Sequence, residues 1–426
     1  MGWNSFGAYG FTIDETQFRA NVAVMAGVQQ FGWKYAILGD GWYMGNPAGR
    51  SRAEQKYLLT INGIPVPDPA RFPSSANGAG LRALGEWLHR QGLKFGIEIA
   101  PGIPRDAVTA NRQIAGTNFH AAEAADTTAI CPSSDGVFGV ADNPAGQAYY
   151  DSVLRLYASW GVDMVRVNCI GAERYSPTEQ KQIARAIQAS GRPMVLSLSS
   201  GPVAPEHAAE IQESAQTWQV IPAHWDSWDA QGGATISGIR QAFDAFPKWF
   251  TYSNPDAWPD AGMLTGGYLG PNPGYGKARQ SALTAEEQRT ELAFSAIVRS
   301  PLILAANLTR LDEATRALIT NQDLLFMNQS VTYSRPVASS ALGPGFENVR
   351  VWQATQYKPG ARGYTEYFGF FNLSEQPVTL RTTWQQLGLD NNKHSGLNLW
   401  DDSETKPGKD IQVTLPAHGS VVFKVN

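Results

Sequence analysis

The sequence predicts a (β/α)8 barrel followed by a small antiparallel β-sandwich. Three observations carry this. The first three-quarters of the chain alternates short, continuously apolar runs with amphipathic stretches, the pattern of a parallel sheet covered by helices. About eight such β-then-α units fit in about 320 residues, the size of a closed barrel. After about residue 330 the helical period ends, and short alternating runs separated by Gly, Asn, Asp and Pro take over.

The expected barrel strands are Lys34–Leu38, Lys94–Ile99, Met164–Val167, Pro193–Leu198, Thr217–Ile221, Trp249–Tyr252 and Pro301–Ala305, with one more before the opening Met1–Ser5 motif. Helices are expected at Gly80–Gln91, where Leu81, Leu84, Trp87 and Leu88 share a face, and at Gly146–Trp160, with Tyr150, Val153, Leu154 and Tyr157. Pro177–Ala189 opens on Ser-Pro-Thr-Glu, a start signal with Pro in the first turn. Thr284–Val298 opens with Thr284 and Glu287 at capping-box spacing. Val331–Pro336, Val349–Gln353, Thr365–Phe371, Val378–Arg381 and Ser420–Val425 read as sandwich strands. The expected domains are 1–325 and 330–426, with no internal repeat and no low-complexity linker between them. A doubly wound open sheet is the competing architecture for the first part.

Composition narrows the partners. The chain has 426 residues, 43% apolar and 17% charged, with net charge -4. That balance argues against nucleic acid or an anionic membrane surface, both of which need basic patches. No apolar run reaches the roughly 18 residues of a membrane span. A targeting segment removed before Met1 would make the chain secreted or periplasmic; otherwise localisation is open. Cys131 and Cys169 are compatible with a disulfide or with two free thiols. Thirteen Trp and 42 Gly suit stacking on sugar rings, although a large core uses Trp as well.

In a barrel, chemistry sits where strands end. The expected ends read Gly39-Asp40-Gly41-Trp42, then "EIAPGIPR" from Glu98, Arg166-Val-Asn168, "SLSSGP" from Ser197, "WQVIPAHWDSWD" from Trp218 and "NPDAWPDAGM" from Asn254. Acids, Trp and Gly gather at these points, which implies a pocket for a small polar ligand. Arg166 and Asn168 are placed as a barrel enzyme places a cation beside a nucleophilic carboxylate, yet residue 168 is an amide.

The motifs "MGWNSF", "YAILGDGWY", "KFGIEIAPGIPR", "WGVDMVRVN", "SLSSGP", "WQVIPAHWDSWD", "PDAGML" and "SPLILAANL" together resemble glycoside hydrolase family 27, the α-galactosidase and α-N-acetylgalactosaminidase family, in its bacterial branch. The resemblance spans essentially the whole chain. It implies a retaining hydrolase of α-linked sugars, in which one Asp attacks the anomeric carbon and another protonates the leaving oxygen. The implied nucleophile position is Asn168 and the implied acid/base position is Ala223. An amide is a poor nucleophile, and a methyl group donates no proton. Other departures are Gly39 in place of the first of two Asp residues, Phe6 in place of a frequent Trp, and Gln219 in place of an Arg.

Asn168 reads as an Asp-to-Asn change made to trap a ligand, as natural to a chain whose chemistry has been lost or altered, or as a position misaligned with the family's nucleophile. Glu98 and Asp226 are the carboxylates that could take over catalytic work. An ion pair with Arg166 is the plain reading of Glu98, and favourable charge in a first helical turn is that of Asp226 with Asp229. Phe6, Asp40, Trp42, Arg166, Ser197, Gln219 and His224 are the expected sugar contacts. Asp40, Trp42, Glu98, Arg166, Asn168, Gln219 and Asp226 are expected to line one pocket. Asp256 and Asp260 suit structural hydrogen bonds in a loop, and Arg105 with Asp106 suits fixing the segment after the third strand. No Cys/His spacing suggests zinc and no Gly-rich phosphate loop follows a strand, so no cofactor is expected. The partner expected is an oligosaccharide or glycoside. The functions that remain are a hydrolase of α-linked sugars, a carbohydrate-binding protein on a disabled hydrolase scaffold, and a hydrolase with relocated acids such as Glu98 with Asp40 or Asp226.

Overall fold

The computed structural model describes all residues except 49–55, 134–135, 200, 231–235, 358–362 and 426. Ser200 of the "SLSSGP" motif therefore lies outside the described residues. The fold is a (β/α)8 barrel with a C-terminal antiparallel β-sandwich. The barrel strands are β1 Gly2–Asn4, β2 Tyr35–Leu38, β3 Lys94–Ile99, β4 Met164–Val167, β5 Val195–Leu198, β6 Thr217–Gln219, β7 Trp258–Asp260 and β8 Ile303–Leu304.

The chain forms two compact units. The first comprises Met1–Ala223, Gly267–Gln280 and Ile303–Leu311, and contains every barrel strand but β7. Its sheet runs β6-β5-β4-β3-β2-β1-β8, with parallel pairing throughout. Glu98 pairs with Arg166, Arg166 with Ser197, and Ser197 with Thr217. Since side chains alternate across a strand, these four share one face and one level. Asn168, Ser199 and Gln219, each two residues further on, belong to the next level up.

Helices wind where the sequence supplies caps. The Asp14 side chain accepts from Gln17 N at the start of Glu15–Ala26, and Gln17 reaches back to close a capping box. Asn143 caps Pro144–Ser159, and Ser176 caps Pro177–Ala189. At the opposite end of the strands from Asn168, Asp163 ties three segments together. It accepts from Phe95 N at 2.8 Å, from Arg192 Nη2 at 2.7 Å, and pairs with His89 Nε2 at 2.8 Å. Burial alone would raise its pKa, but these partners outweigh burial and hold it below the ordinary Asp value.

The second unit comprises His224–Gly266, Ser281–Leu302 and Asp312–Asn426. It holds the helix Ala285–Ile297, whose capping box pairs Thr284 with Glu287, and the sandwich. One sandwich sheet is Tyr333–Pro336, Val349–Tyr357, Tyr364–Asn372, Ser420–Val425 and Gly396–Asn398. The other is Val378–Thr383 with Asp410–Leu415. Val351, Phe368, Phe370, Leu380, Trp384 and Phe423 are among its buried core residues. Among the described residues, no helix is long and apolar enough to cross a membrane.

Two expected strands are corrected. The Met1–Ser5 motif does not follow a strand; its Gly2–Asn4 is itself β1. Trp249–Tyr252 is not extended: Phe246–Lys248 and Phe250–Tyr252 are single 3-10 turns, and the strand is Trp258–Asp260. Pro247 presets a helical φ, and Trp249 meets Tyr252 three residues on at 5.7 Å between ring centres, a contact that helical winding produces. A short aromatic run has no period that separates the two states.

The Asp163 clasp makes a stability prediction. Asp163→Ala leaves a buried Phe95 N–H and a guanidinium without their acceptor, and should cost about 2–3 kcal/mol. Urea denaturation should show a lower midpoint at an unchanged slope.

Candidate functional site

The site is described within the first unit, at the C-terminal ends of β2 to β6. Its floor is an ion pair. Arg166 Nε lies 4.0 Å from Glu98 Oε1, and Arg166 Nη1 donates to Ser197 Oγ at 3.3 Å. Glu98 Oε2 accepts from Asn4 Nδ2 at 2.9 Å, while Asn4 Oδ1 accepts from Phe6 N at 2.8 Å. Asn4, Glu98 and Arg166 are all buried. Pairing and hydrogen bonds are what make buried charges of this kind tolerable.

Above the floor lies Asn168. Its Nδ2 donates to Asp40 Oδ2 at 3.4 Å, and its Oδ1 accepts from the Ser199 hydroxyl. The other oxygen of Asp40, Oδ1, accepts from Tyr43 OH at 2.5 Å and from Gly41 N at 2.7 Å. Gly41 can turn its N–H back onto that carboxylate because its φ is +82°; a Cβ there would also strike the Phe11 ring. Burial and then the charge of Glu98 push the pKa of Asp40 up to about 7, against the pull of Tyr43, Gly41 and Asn168.

Cys169 follows Asn168 directly and is joined to Cys131 by a disulfide, with a Cα–Cα separation of 6.1 Å. Its φ is +68°, and its carbonyl accepts from Ala172 N and Arg174 N. The turn after β4 is thereby tied down on the side away from the strand. Of the two readings of the cysteines, the structure has the disulfide.

Asp40, Glu98, Arg166, Asn168 and Ser197 are thus brought together. Gln219 is buried on the level of Asn168, and its Nε2 donates to Pro222 O at 3.3 Å. Ala223 is exposed. Phe6 is half-buried with its ring edge-on to Phe11 at 5.3 Å. Trp42 differs from expectation. Its ring is fully buried against Tyr157 and Trp160, and its Nε1 donates to Glu98 O at 2.9 Å. The side chain therefore packs the β2 end against the helix Pro144–Ser159 and presents no surface to a ligand.

His224 and Asp226 belong to the second unit. His224 Nε2 meets Glu291 Oε1 at 3.2 Å, and Glu291 also accepts from Thr265 N and Oγ1. Asp226 Oδ2 accepts from Ala282 N at 2.9 Å. Trp225 begins no helix, so Asp226 and Asp229 share no helical face; Asp229 pairs instead with Arg240 at 2.5 Å. The run is too short and too rich in Trp for a helical period to decide it.

Asn4, Tyr43 and Ser199 were not singled out from the sequence. Strand alternation gives Asn4 and Ser199 a signal, since Ser199 is two residues beyond Ser197 on one face. Tyr43 carries no such signal, because its role comes from the turn at Gly41.

Comparisons with known proteins bear on the family. Residues 133–330 match the family model described as alpha galactosidase A, and residues 347–425 match the alpha galactosidase C-terminal beta sandwich domain. The structure of a family 27 β-L-arabinopyranosidase from Geobacillus stearothermophilus is 33% identical. It superposes with a TM-score of 0.91, over 100% of this chain and 95% of that one. This chain belongs to glycoside hydrolase family 27. A putative α-N-acetylgalactosaminidase from Bacillus halodurans is also 33% identical, with a TM-score of 0.84 over 100% and 96% of the two chains. α-Galactosidase A of Cellvibrio japonicus is 24% identical over 100% of this chain and 91% of its own length. The family's enzymes hydrolyse O-glycosyl bonds, and this chain carries their α-galactosidase-like architecture.

The raised pKa of Asp40 gives a pH prediction. The folded state holds a proton that the unfolded chain releases at the ordinary value of 3.8. The contribution of Asp40 is thus most favourable at low pH and is lost as pH rises towards about 7. Asp40→Asn should therefore stabilise the protein relative to the parent at pH 8, by on the order of 2–4 kcal/mol, with little gain at pH 4. Thermal melts at the two pH values check this.

Proposed function

We propose that this chain binds a galacto-configured pyranoside at the Asp40–Glu98–Arg166–Asn168 site, and that as written it hydrolyses glycosides very slowly or not at all. The observation that carries this reading is the state of residue 168. It stands at the nucleophile position of the family, but it is an amide held between Asp40 and Ser199. A neutral amide oxygen lacks the full negative charge of a carboxylate, and its attack on the anomeric carbon would give a charged glycosyl imidate instead of a neutral glycosyl ester. Position 223 offers only a methyl group, so the leaving oxygen finds no proton there.

Binding has more support than turnover. Asp40, Glu98 and Arg166 offer charged acceptors and donors to ring hydroxyls, and buried groups of this kind discriminate strongly among hydroxyl patterns. The relatives named above support the choice of sugar class. α-D-Galactopyranosides and β-L-arabinopyranosides share ring stereochemistry and differ by one hydroxymethyl group. The family's first Asp at the β2 end is Gly39 here. A Cβ at 39 would lie 2.7 Å from Phe6 N and 2.9 Å from Asn4 Oδ1, so the Asn4–Phe6 turn fills that place. Losing a hydroxyl-gripping Asp favours the smaller sugar, and β-L-arabinopyranosides are the preferred ligand class in this reading.

A pure sugar-binding protein is the second reading, favoured by the joint change at 168 and 223. A relocated acid pair is the third; within the first unit it has Glu98 and Asp40 available.

Asn168→Asp separates these readings. With the nucleophile restored and no proton donor at 223, nitrophenyl glycosides should turn over at least about 100-fold faster than in the parent, because nitrophenolate leaves unprotonated. Natural disaccharides should remain slow until Ala223→Asp is added. Assays should compare nitrophenyl α-D-galactoside, α-N-acetylgalactosaminide and β-L-arabinopyranoside. Binding without turnover in Asn168→Asp favours the binding protein. Full activity in the parent would remove Asn168 from the chemistry and favour the relocated pair.

A further inference from the structure

Asp40 and Asn168 are joined from both sides into one hydrogen-bond chain, from Tyr43 through Asp40 and Asn168 to Ser199. We propose that Tyr43 is the positioning residue of this pocket: by pinning Asp40 Oδ1 it leaves only Oδ2 towards Asn168, and so ties the orientation of the Asn168 amide to the proton on Asp40.

The chain has two self-consistent senses. With Asp40 ionised, Oδ2 accepts from Asn168 Nδ2, and Asn168 Oδ1 accepts from Ser199, as the structure shows. With a proton on Oδ2, Asp40 becomes a donor. Asn168 then satisfies it only by turning its amide, presenting Oδ1 to Asp40 and Nδ2 to the Ser199 hydroxyl, which can rotate to accept. The amide's second N–H and free lone pair exchange places, so the group offered to a sugar at position 168 changes. Tyr43 and Gly41 N both occupy Oδ1, which leaves Oδ2 as the oxygen that takes the proton. The Tyr43 ring is fixed independently, edge-on to Trp42 at 5.0 Å and to Tyr57 at 4.7 Å. Losing its hydroxyl therefore need not move the turn.

Glu98 faces Asp40 and disfavours its ionisation, and Arg166 lies against Glu98. Tyr57 borders Tyr43 on its far side. A pKa of about 7 for Asp40 places the exchange between the two senses near neutral pH. The Tyr43 hydroxyl favours the carboxylate, so its removal raises the exchange point.

The test measures melting temperature against pH for the parent, Tyr43→Phe and Asp40→Asn. The parent should lose melting temperature as pH rises from about 4 and level off near neutral pH, a step that Asp40→Asn lacks. In Tyr43→Phe that step should move up by about one pH unit. A merely structural loss would lower the whole curve without moving the step. A step that stays in place in Tyr43→Phe, or that persists in Asp40→Asn, overturns the proposal. This arm needs no ligand, so it stands apart from the sugar-binding reading on which the second arm rests. There, calorimetry with L-arabinose and D-galactose should give a several-fold affinity change across the step. The change should move with Tyr43→Phe, vanish in Asp40→Asn and persist in Ser199→Ala, because the Ser199 hydroxyl serves either sense of the amide. Affinity that is pH-independent in the parent also overturns the proposal. Absence of any sugar binding refutes the proposed function and leaves the melting arm to decide this one. Should Tyr43→Phe not fold, the presence or absence of the step in Asp40→Asn and the pH dependence of sugar affinity in the parent still decide it.

Discussion

The parallel register of β3, β4 and β5 sets Glu98 beside Arg166 and Arg166 beside Ser197, and the remaining polar contacts of the pocket build on that row. A one-residue slip of β4 would turn Arg166 and Asn168 away together, leaving Glu98 buried without a cation and Asp40 without its amide donor. The apolar partners in the same strands, Val165 and Val167 against Ile97 and Ile99, point the other way and are buried. Hydrophobic alternation therefore holds the register, and the register holds the charges. The clasp at Asp163 ties down the entry to the same strands, because its partners are Phe95 at the start of β3, His89 before it and Arg192 ahead of β5.

The electrostatics of the pocket account for an amide at 168 without reference to how it arose. Among the described residues of the first unit, Glu98 faces the carboxylate of Asp40, and the guanidinium of Arg166 lies against Glu98. A third carboxylate at 168, 3.4 Å from Asp40, would force two acids to share a proton. Asn168 instead supplies a donor, and Tyr43 and Gly41 N complete the solvation of Asp40. A carboxylate at 168 is tolerable only if it or Asp40 stays protonated. The chemistry available to position 168 and the charge of Asp40 are therefore one problem. The disulfide at Cys169 adds a constraint from the other side, holding the turn that follows the amide.

Much of this was legible in the sequence. Continuous apolar runs such as Met164–Val167 gave the barrel strands, and capping boxes such as Thr284 with Glu287 gave the helix starts. The grouping of Asp40, Glu98, Arg166 and Asn168 was legible because strand ends in a barrel share one mouth. Trp42 was misread because a Trp beside a ligand loop and a Trp under it look alike in sequence. Only the fold turns its ring towards Tyr157 and Trp160. Tyr43 was passed over for the same reason in reverse. The seventh strand was missed because Trp249–Tyr252 is as apolar as a strand and only Pro247 hints at its winding. The strand Asp410–Leu415 was also passed over, although its alternating burial follows an alternating sequence.

The central claim is that this pocket holds a sugar ring against Asp40, Arg166 and Asn168 while leaving its glycosidic bond intact. The most direct measurement is a crystal structure of the unaltered chain soaked with a nitrophenyl β-L-arabinopyranoside or α-D-galactoside. The account predicts an unbroken glycoside, with ring hydroxyls on Asp40 and Arg166 and the anomeric carbon facing the Asn168 amide. A cleaved sugar in that pocket, or an intact one bound elsewhere with the pocket empty, would contradict it.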